Sequence, residues 1–377
     1  MPAFLLATLI PVPLLITATA MGGWVGWATL GYLTLFTALL DQILPRNWSN
    51  DDPGAAHVSG AGLSVALGVL HLFLIVIAMR LVGGPGGVAG WDIVPVALAY
   101  GIYFGQVSHP NAHELIHRPG QQSRQLGRMV YTSMLFGHHA SSHPKIHHVY
   151  VASRYDPNTA MLGEGFWRYL RRAWIGSFIE GARIERFDLK RGGRSWHAHP
   201  YGGYVLGAAG LLLLAYGFGG WTGVAAYVAI CFFAQVQILL SDYVQHYGLE
   251  RDQTAEGRLL PVGPEHSWNA PHRWTSAMML NAPRHSDHHM HPGRVYPALQ
   301  LDRRDMPMLP RSLPVMATVA LFPGWWRRVM DPRVAQWQQR GLTGARPGTA
   351  ALRAADREAP QDQDSGEALP PLRGAGI

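Results

Sequence analysis

Six apolar runs, almost free of charge, limit what this chain can fold into more than any other feature; they cover residues 3–21, 24–40, 61–82, 91–107, 202–219 and 221–241. Each approaches the roughly 20 residues a helix needs to cross the hydrocarbon core of a bilayer. The first lacks a basic leader and a second follows at once, so it reads as a span and not as a signal peptide. Gly-rich reversals join the third run to the fourth and the fifth to the sixth. The expected fold class is an all-α integral membrane protein, six transmembrane helices carrying a helical, His-rich cap on one side.

Six crossings put the N-terminus and the polar segments 41–59, 108–201 and 242–377 on the same side. Of the Lys and Arg residues, 13 lie in 108–201 and 16 after 242, and the three short turns on the other side carry none. The positive-inside rule makes the charged side, with the histidines, cytoplasmic, in a multi-pass protein of a bacterial-type inner (plasma) membrane. Arg80, near the outer end of the third run, is long enough to snorkel. The formal charge of +7 is accounted for by this topology, and no nucleic-acid motif accompanies it. The single cysteine, Cys231, lies inside an apolar run, which excludes an intramolecular disulfide, a Cys-rich zinc site and an iron–sulfur cluster held by this chain. Residues 1–341 read as one membrane domain. Residues 342–377, rich in Ala, Gly, Pro, Asp, Gln and Arg without periodicity, read as a disordered tail.

The polar segments carry the chemistry. Directly after the fourth run stands N-A-H-E-L-I-H-R, with His113 and His117 one helical turn apart. S-H-P-K-I-H-H-V follows with His143, His147 and His148; D-Y-V-Q-H-Y-G-L places His246 at the end of the sixth run; R-H-S-D-H-H-M-H-P brings His285, His288 and His289. Neutral imidazoles crowded on one face each need a partner for a ring nitrogen and repel one another when protonated, and a bound cation answers both problems. H-E-x-x-H by itself is also the signature of a zinc peptidase. Nine histidines overfill a single zinc site, and two metals fit the count; ligand type alone leaves Fe, Zn, Cu and Ni open.

Taken together, H-E-L-I-H, H-x-x-x-H-H, H-Y-G-L and R-H-S-D-H-H-x-x-P resemble the motifs of the membrane-bound alkane 1-monooxygenase family, a branch of the fatty acid desaturase-like superfamily. S-W-N at 267–269 and P-G-W-W-R-R-V-M-D-P-R-V at 323–334 extend the likeness to about Trp337. The resemblance implies two non-haem irons held by His113, His117, His143, His147, His148, His246, His285, His288 and His289. The family usually has Glu where this chain has Ser142 and Gln245, changes that bear on hydrogen bonds to His143 and His246. Glu114, Asp156 and Asp287 are the candidate carboxylate partners of the ligand imidazoles. His138, His139 and His291 border the boxes without joining the ligand set.

The implied reaction is O2-dependent terminal hydroxylation of an n-alkane to the primary alcohol. A substrate without a polar handle has to be selected by the shape of an apolar channel, for which Leu35 and Phe36 are candidate closing residues. Electrons must come from outside, since one cysteine cannot build a rubredoxin-type site and no dinucleotide fingerprint is present. A rubredoxin and its reductase are the implied partners, with Arg168, Arg171, Arg172 and Arg191 as a basic docking surface. The nearest alternative is a sister oxygenase acting on alkylbenzene methyl groups or on fatty acyl chains; a membrane zinc peptidase and a non-enzymatic metal carrier are further off.

Overall fold

The structure is a computed structural model and describes residues 1–50 and 57–342. Among these residues it is all helix, with no strand and only three isolated bridges. Four stretches are long and apolar enough to cross a membrane: Pro2–Met21, Gly23–Ile43, Gly60–Leu81 and the 47-residue Pro200–His246. The last is two helices. Gly220 (φ 57°, ψ −149°) reverses it, as Gly22 (φ 61°, ψ −150°) reverses the first pair, in a conformation open to glycine and costly for residues with a Cβ. The Thr29 hydroxyl donates to the carbonyl of Leu14 at 3.3 Å, closing the first of these antiparallel hairpins.

The fourth apolar run does not end where its hydrophobicity does. Ile93–Tyr103 passes through a π turn, Phe104–Ser108, straight into His109–His117, so a membrane-type half and a histidine-bearing half form one rod. Close approach fixes its position. A Cβ on Gly105 would stand 2.3 Å from the Cβ of Gln237, so the absence of a side chain lets the rod lie directly against the second half of Pro200–His246. Tyr100 bonds Thr19 at 2.9 Å and the Tyr103 hydroxyl donates to the Thr8 carbonyl at 3.1 Å, tying the rod to the first helix.

The outside of the bundle is apolar, with Trp24, Leu35, Phe73, Val69, Leu206 and Leu213 all exposed, as lipid contact requires. Leu35 (78% exposed) and Phe36 (45%) belong to this outer surface, with Phe36 stacked on Tyr32, and neither lines an interior path. The inward positions of that helix are Gly26, Thr29, Leu33, Thr37 and Asp41. These are the positions an ordinary helical period brings to one face, and Leu35 and Phe36 lie off it.

On the histidine side, Gln121–Ser133 folds back against the rod, and the 26-residue helix Phe166–Arg191 packs over the second histidine box. That helix is not simply polar: Trp167, Trp174, Ile175, Phe178 and Ile179 are exposed among its charges, the pattern of a helix lying along a membrane surface. Pro323–Leu342 closes the assembly, its fully buried Trp326 set 5.3 Å from the rings of both Tyr243 and Tyr247 beside His246. The expected tail beyond Leu342 lies outside the described residues.

Candidate metal centre

The four histidine motifs arrive from different directions and meet as two groups, one wholly buried and the other buried except for the partly exposed His117 and His148. His113, His117, His143, His148 and His288 form one; His147, His246, His285 and His289 form the other. Within each group, one ring nitrogen from every residue lies within 4.8 Å of all the others. These are the nine histidines singled out by sequence. Their grouping does not follow the motifs, because neighbouring residues of one box enter different groups.

A π turn explains the division of the second box. His143–His147 is a π segment, and the His148 N–H donates to the His143 carbonyl five residues back. An α-helix would turn a residue at i+5 about 140° away, whereas the i to i+5 bond of a π turn stacks it over residue i. His143 and His148 therefore share a group, their Nε2 atoms 3.0 Å apart, and His147 faces the other. Lys145, in the middle of this turn, is pinned by Glu185 and Asp188, each at 2.8 Å. In the third box the short helix His285–Met290 sends His285 and His289 to one side and His288 to the other.

Every one of the nine Nε2 atoms either faces only another Nε2 or has no partner at all. His148 Nε2 stands 3.0 Å from that of His143 and 3.0 Å from that of His288. His285 Nε2 stands 3.0 Å from that of His246 and 3.1 Å from that of His289. The Nε2 atoms of His113, His117 and His147 are buried without a partner. Nitrogens bound to one first-row ion at about 2.1 Å lie about 3.0 Å apart at right angles and about 3.4 Å at tetrahedral angles. The observed spacings fit that range, and a cation in each group would supply the missing partner. A set of imidazoles without thiolate suits iron as well as zinc, copper or nickel.

The electrostatics keep the lone pairs available. Burial, reinforced by mutual repulsion, holds His113, His143, His148, His285, His288 and His289 well below the usual histidine range, and brings His117 down to about 4. Burial pulls on His147 as well, but the Asp156 carboxylate bonded to it outweighs that and raises it. His147 Nδ1–H donates to Asp156 Oδ2 at 2.8 Å, which leaves its Nε2 as the lone pair. His246 Nδ1 donates to the carbonyl of His266 at 3.3 Å with the same result.

Of the three expected carboxylate partners, Asp156 alone bonds one of the nine imidazoles. It is itself held by the Asn158 N–H and the Thr159 hydroxyl. Asp287 instead bonds His291, Arg294 and the N–H of Gln300, so it secures the loop after the third box. Glu114 pairs with Arg118 at 2.7 Å; burial pushes its carboxyl up to about 7 against the pull of that arginine. This engages the glutamate that a peptidase would direct at a zinc-bound water. Arg172 is likewise committed, bonded to Glu164 and to the carbonyls of Pro157 and Thr159, while Arg168, Arg171 and Arg191 are exposed.

Sequence reading missed the strap that sets the groups against each other. Trp268 donates from its backbone to the Gln245 carbonyl at 2.7 Å and from its indole to the Tyr247 carbonyl at 3.0 Å, gripping both sides of His246. Asn269 reaches the third box, its Nδ2 donating to Ser286 Oγ at 2.8 Å and its Oδ1 accepting the Ser286 N–H at 3.0 Å. The available signal was the S-W-N triplet, noted for its likeness and not for what its side chains bond.

Comparison with known proteins adds a second, independent line. The sequence model of the family described as fatty acid desaturase matches residues 89–320. An alkane 1-monooxygenase of Pseudomonas putida is 32% identical over 281 residues, 73% of this chain and 68% of the relative. Alkane 1-monooxygenase 1 of Alcanivorax borkumensis is 30% identical over 335 residues, 86% of this chain and 81% of the relative. The hydroxylase component of a xylene/toluene monooxygenase of Pseudomonas putida is 27% identical over 337 residues, 85% and 86%.

Proposed function

Because this chain belongs to the fatty acid desaturase family, and within it to the alkane 1-monooxygenases, we propose that it hydroxylates the terminal carbon of n-alkanes at a two-iron centre. It is an oxidoreductase of the monooxygenase type. The reaction takes R–CH3, O2, two electrons and two protons to R–CH2OH and water. The observation that carries the proposal is the convergence of nine imidazoles in two groups of five and four, each residue with a ring nitrogen within 4.8 Å of the others of its group, in a chain similar to alkane 1-monooxygenases over most of its length.

In this reading His113, His117, His143, His148 and His288 hold one iron, and His147, His246, His285 and His289 the other. When bound, the irons supply the activation of O2. The chain's own residues do the rest. Asp156 and the His266 carbonyl fix two ligand tautomers, the S-W-N strap holds the third box in register with His246, and the apolar bundle admits a membrane-dissolved substrate while excluding water. Six crossings of an inner membrane, with the histidine side cytoplasmic, give rubredoxin access to the centre. Rubredoxin, recharged by its reductase, supplies the electrons, and Arg168, Arg171 and Arg191 attract its acidic surface. Reduction then slows as ionic strength rises.

The test is octane-dependent O2 uptake by purified protein with rubredoxin, reductase and reduced nicotinamide cofactor, alongside metal analysis and product identification. Two irons per chain and 1-octanol are expected; absence of iron from active protein sinks the proposal. The likeness to the xylene/toluene monooxygenase component supports a second reading, methyl-group hydroxylation of alkylbenzenes. Turnover of toluene or xylene in preference to octane decides for it.

A further inference from the structure

Next to the five-histidine group lies an imidazole that no motif accounts for. His139 is 1% exposed, and neither of its ring nitrogens has a hydrogen-bond partner among the described residues. It stands one helical turn before His143, whose backbone N–H bonds the His139 carbonyl, and the two rings lie 4.8 Å apart at 33°. His143 Nδ1 is also buried and unpartnered. The neighbouring polar groups are taken: the Tyr131 hydroxyl by His109 Nδ1 at 3.0 Å, and His138 Nε2 by Ser177 Oγ at 3.3 Å.

A neutral imidazole carries one donor and one acceptor. His143 Nε2 faces His148 Nε2 in the group, so the proton of His143 belongs on Nδ1, where it needs an acceptor. A ring that served only to fill space between Phe136 and Tyr131 would bury two polar atoms for nothing. One water accepting from His143 Nδ1–H and donating to a ring nitrogen of His139 would give a partner to an orphaned buried atom on each ring. We propose that His139 is the positioning residue for His143, accepting through one bridging water the hydrogen bond donated by His143 Nδ1–H and so keeping His143 Nε2 free for the metal. The inference rests on the reading of His143 as a metal ligand. Ser142, which stands beside His143 and packs against the Gly181 position, has too short a side chain to replace a carboxylate in this role.

The experiment compares the purified full chain with His139→Phe, His139→Gln and His143→Ala, each loaded with isotopically enriched ferrous iron. Iron content, Mössbauer spectrum and thermal melting are read. His139→Phe keeps a ring of similar size and is expected to melt like the wild type while iron falls from about two per chain towards about one, with one quadrupole doublet lost or shifted; His139→Gln, which retains an acceptor, is expected to restore both. Unchanged iron and spectrum in His139→Phe overturn the proposal, as does equal damage in His139→Phe and His139→Gln, which would make the residue a packing element. If His143→Ala itself leaves iron and spectrum unchanged, the ligand reading fails and takes this inference with it; if only His143→Ala has an effect, the inference alone fails.

Discussion

Single side chains decide whether nine imidazoles act as ligands or as a cluster of buried bases. Asp156 is the clearest case, since it is fully buried, accepts the His147 proton and is held by two further donors. Asp156→Asn keeps the shape and removes the charge, and is expected to lower iron affinity about 10- to 100-fold, read by competition with a chelator. His285→Ala removes one of four nitrogens from its group and should lose iron and hydroxylation together. His291→Ala, two residues beyond His289, should stay within about twofold of wild-type activity, because His291 is half exposed and bonds Asp287 and no histidine of the groups. Equal losses in the two variants would refute the assignment. Which residues carry imidazole was legible in the sequence; which partner fixes each ring was not. Asp156 lies eight residues beyond the box it serves and Asp287 lies inside one, yet only the folded loop decides that the distant one bonds.

Helices contribute phase. The π turn at His143–His147 assigns two adjacent residues, His147 and His148, to opposite groups. Deleting Ile146 removes the extra residue and returns the segment to α spacing. Iron occupancy should then fall by at least about tenfold while helix content by circular dichroism is retained; full occupancy would show that the turn is incidental. Spacing of i, i+3 and i+4 suggests a shared face, and that much is readable from residues 285–289. Whether the face looks at one ion or stands between two depends on the direction from which other helices approach. The same limit applies to Leu35 and Phe36, where the apolar run was legible but its uniformly apolar residues did not mark which face looks inward.

For the whole molecule, the apolar runs marked out the helices and the Gly-rich segment around Gly220 marked one reversal, whereas the reversal at Gly22 emerged only in the structure. The continuation of the fourth helix to His117 was legible too, since His113 and His117 stand one turn apart directly after the fourth apolar run; the π turn inside it, at Phe104–Ser108, was not. The proposed topology has a direct check. Cys231 is the chain's single cysteine and is fully buried, so the wild type provides a silent background for thiol labelling. Ala89→Cys, exposed in the reversal after the third helix, should react with a membrane-impermeant reagent on intact cells, and Arg191→Cys only after the inner membrane is opened. The opposite pattern would invert the orientation.

The division of the third box also sets an order in time. His288 completes one group and His285 with His289 completes the other, so neither is whole until the ribosome has passed residue 289. During synthesis the earlier boxes emerge as incomplete chelators beside a half-inserted bundle. Under the two-iron proposal, stable loading of either group then becomes a late event, after the last apolar hairpin has been made, and a chain that stalls before the third box leaves both unfinished.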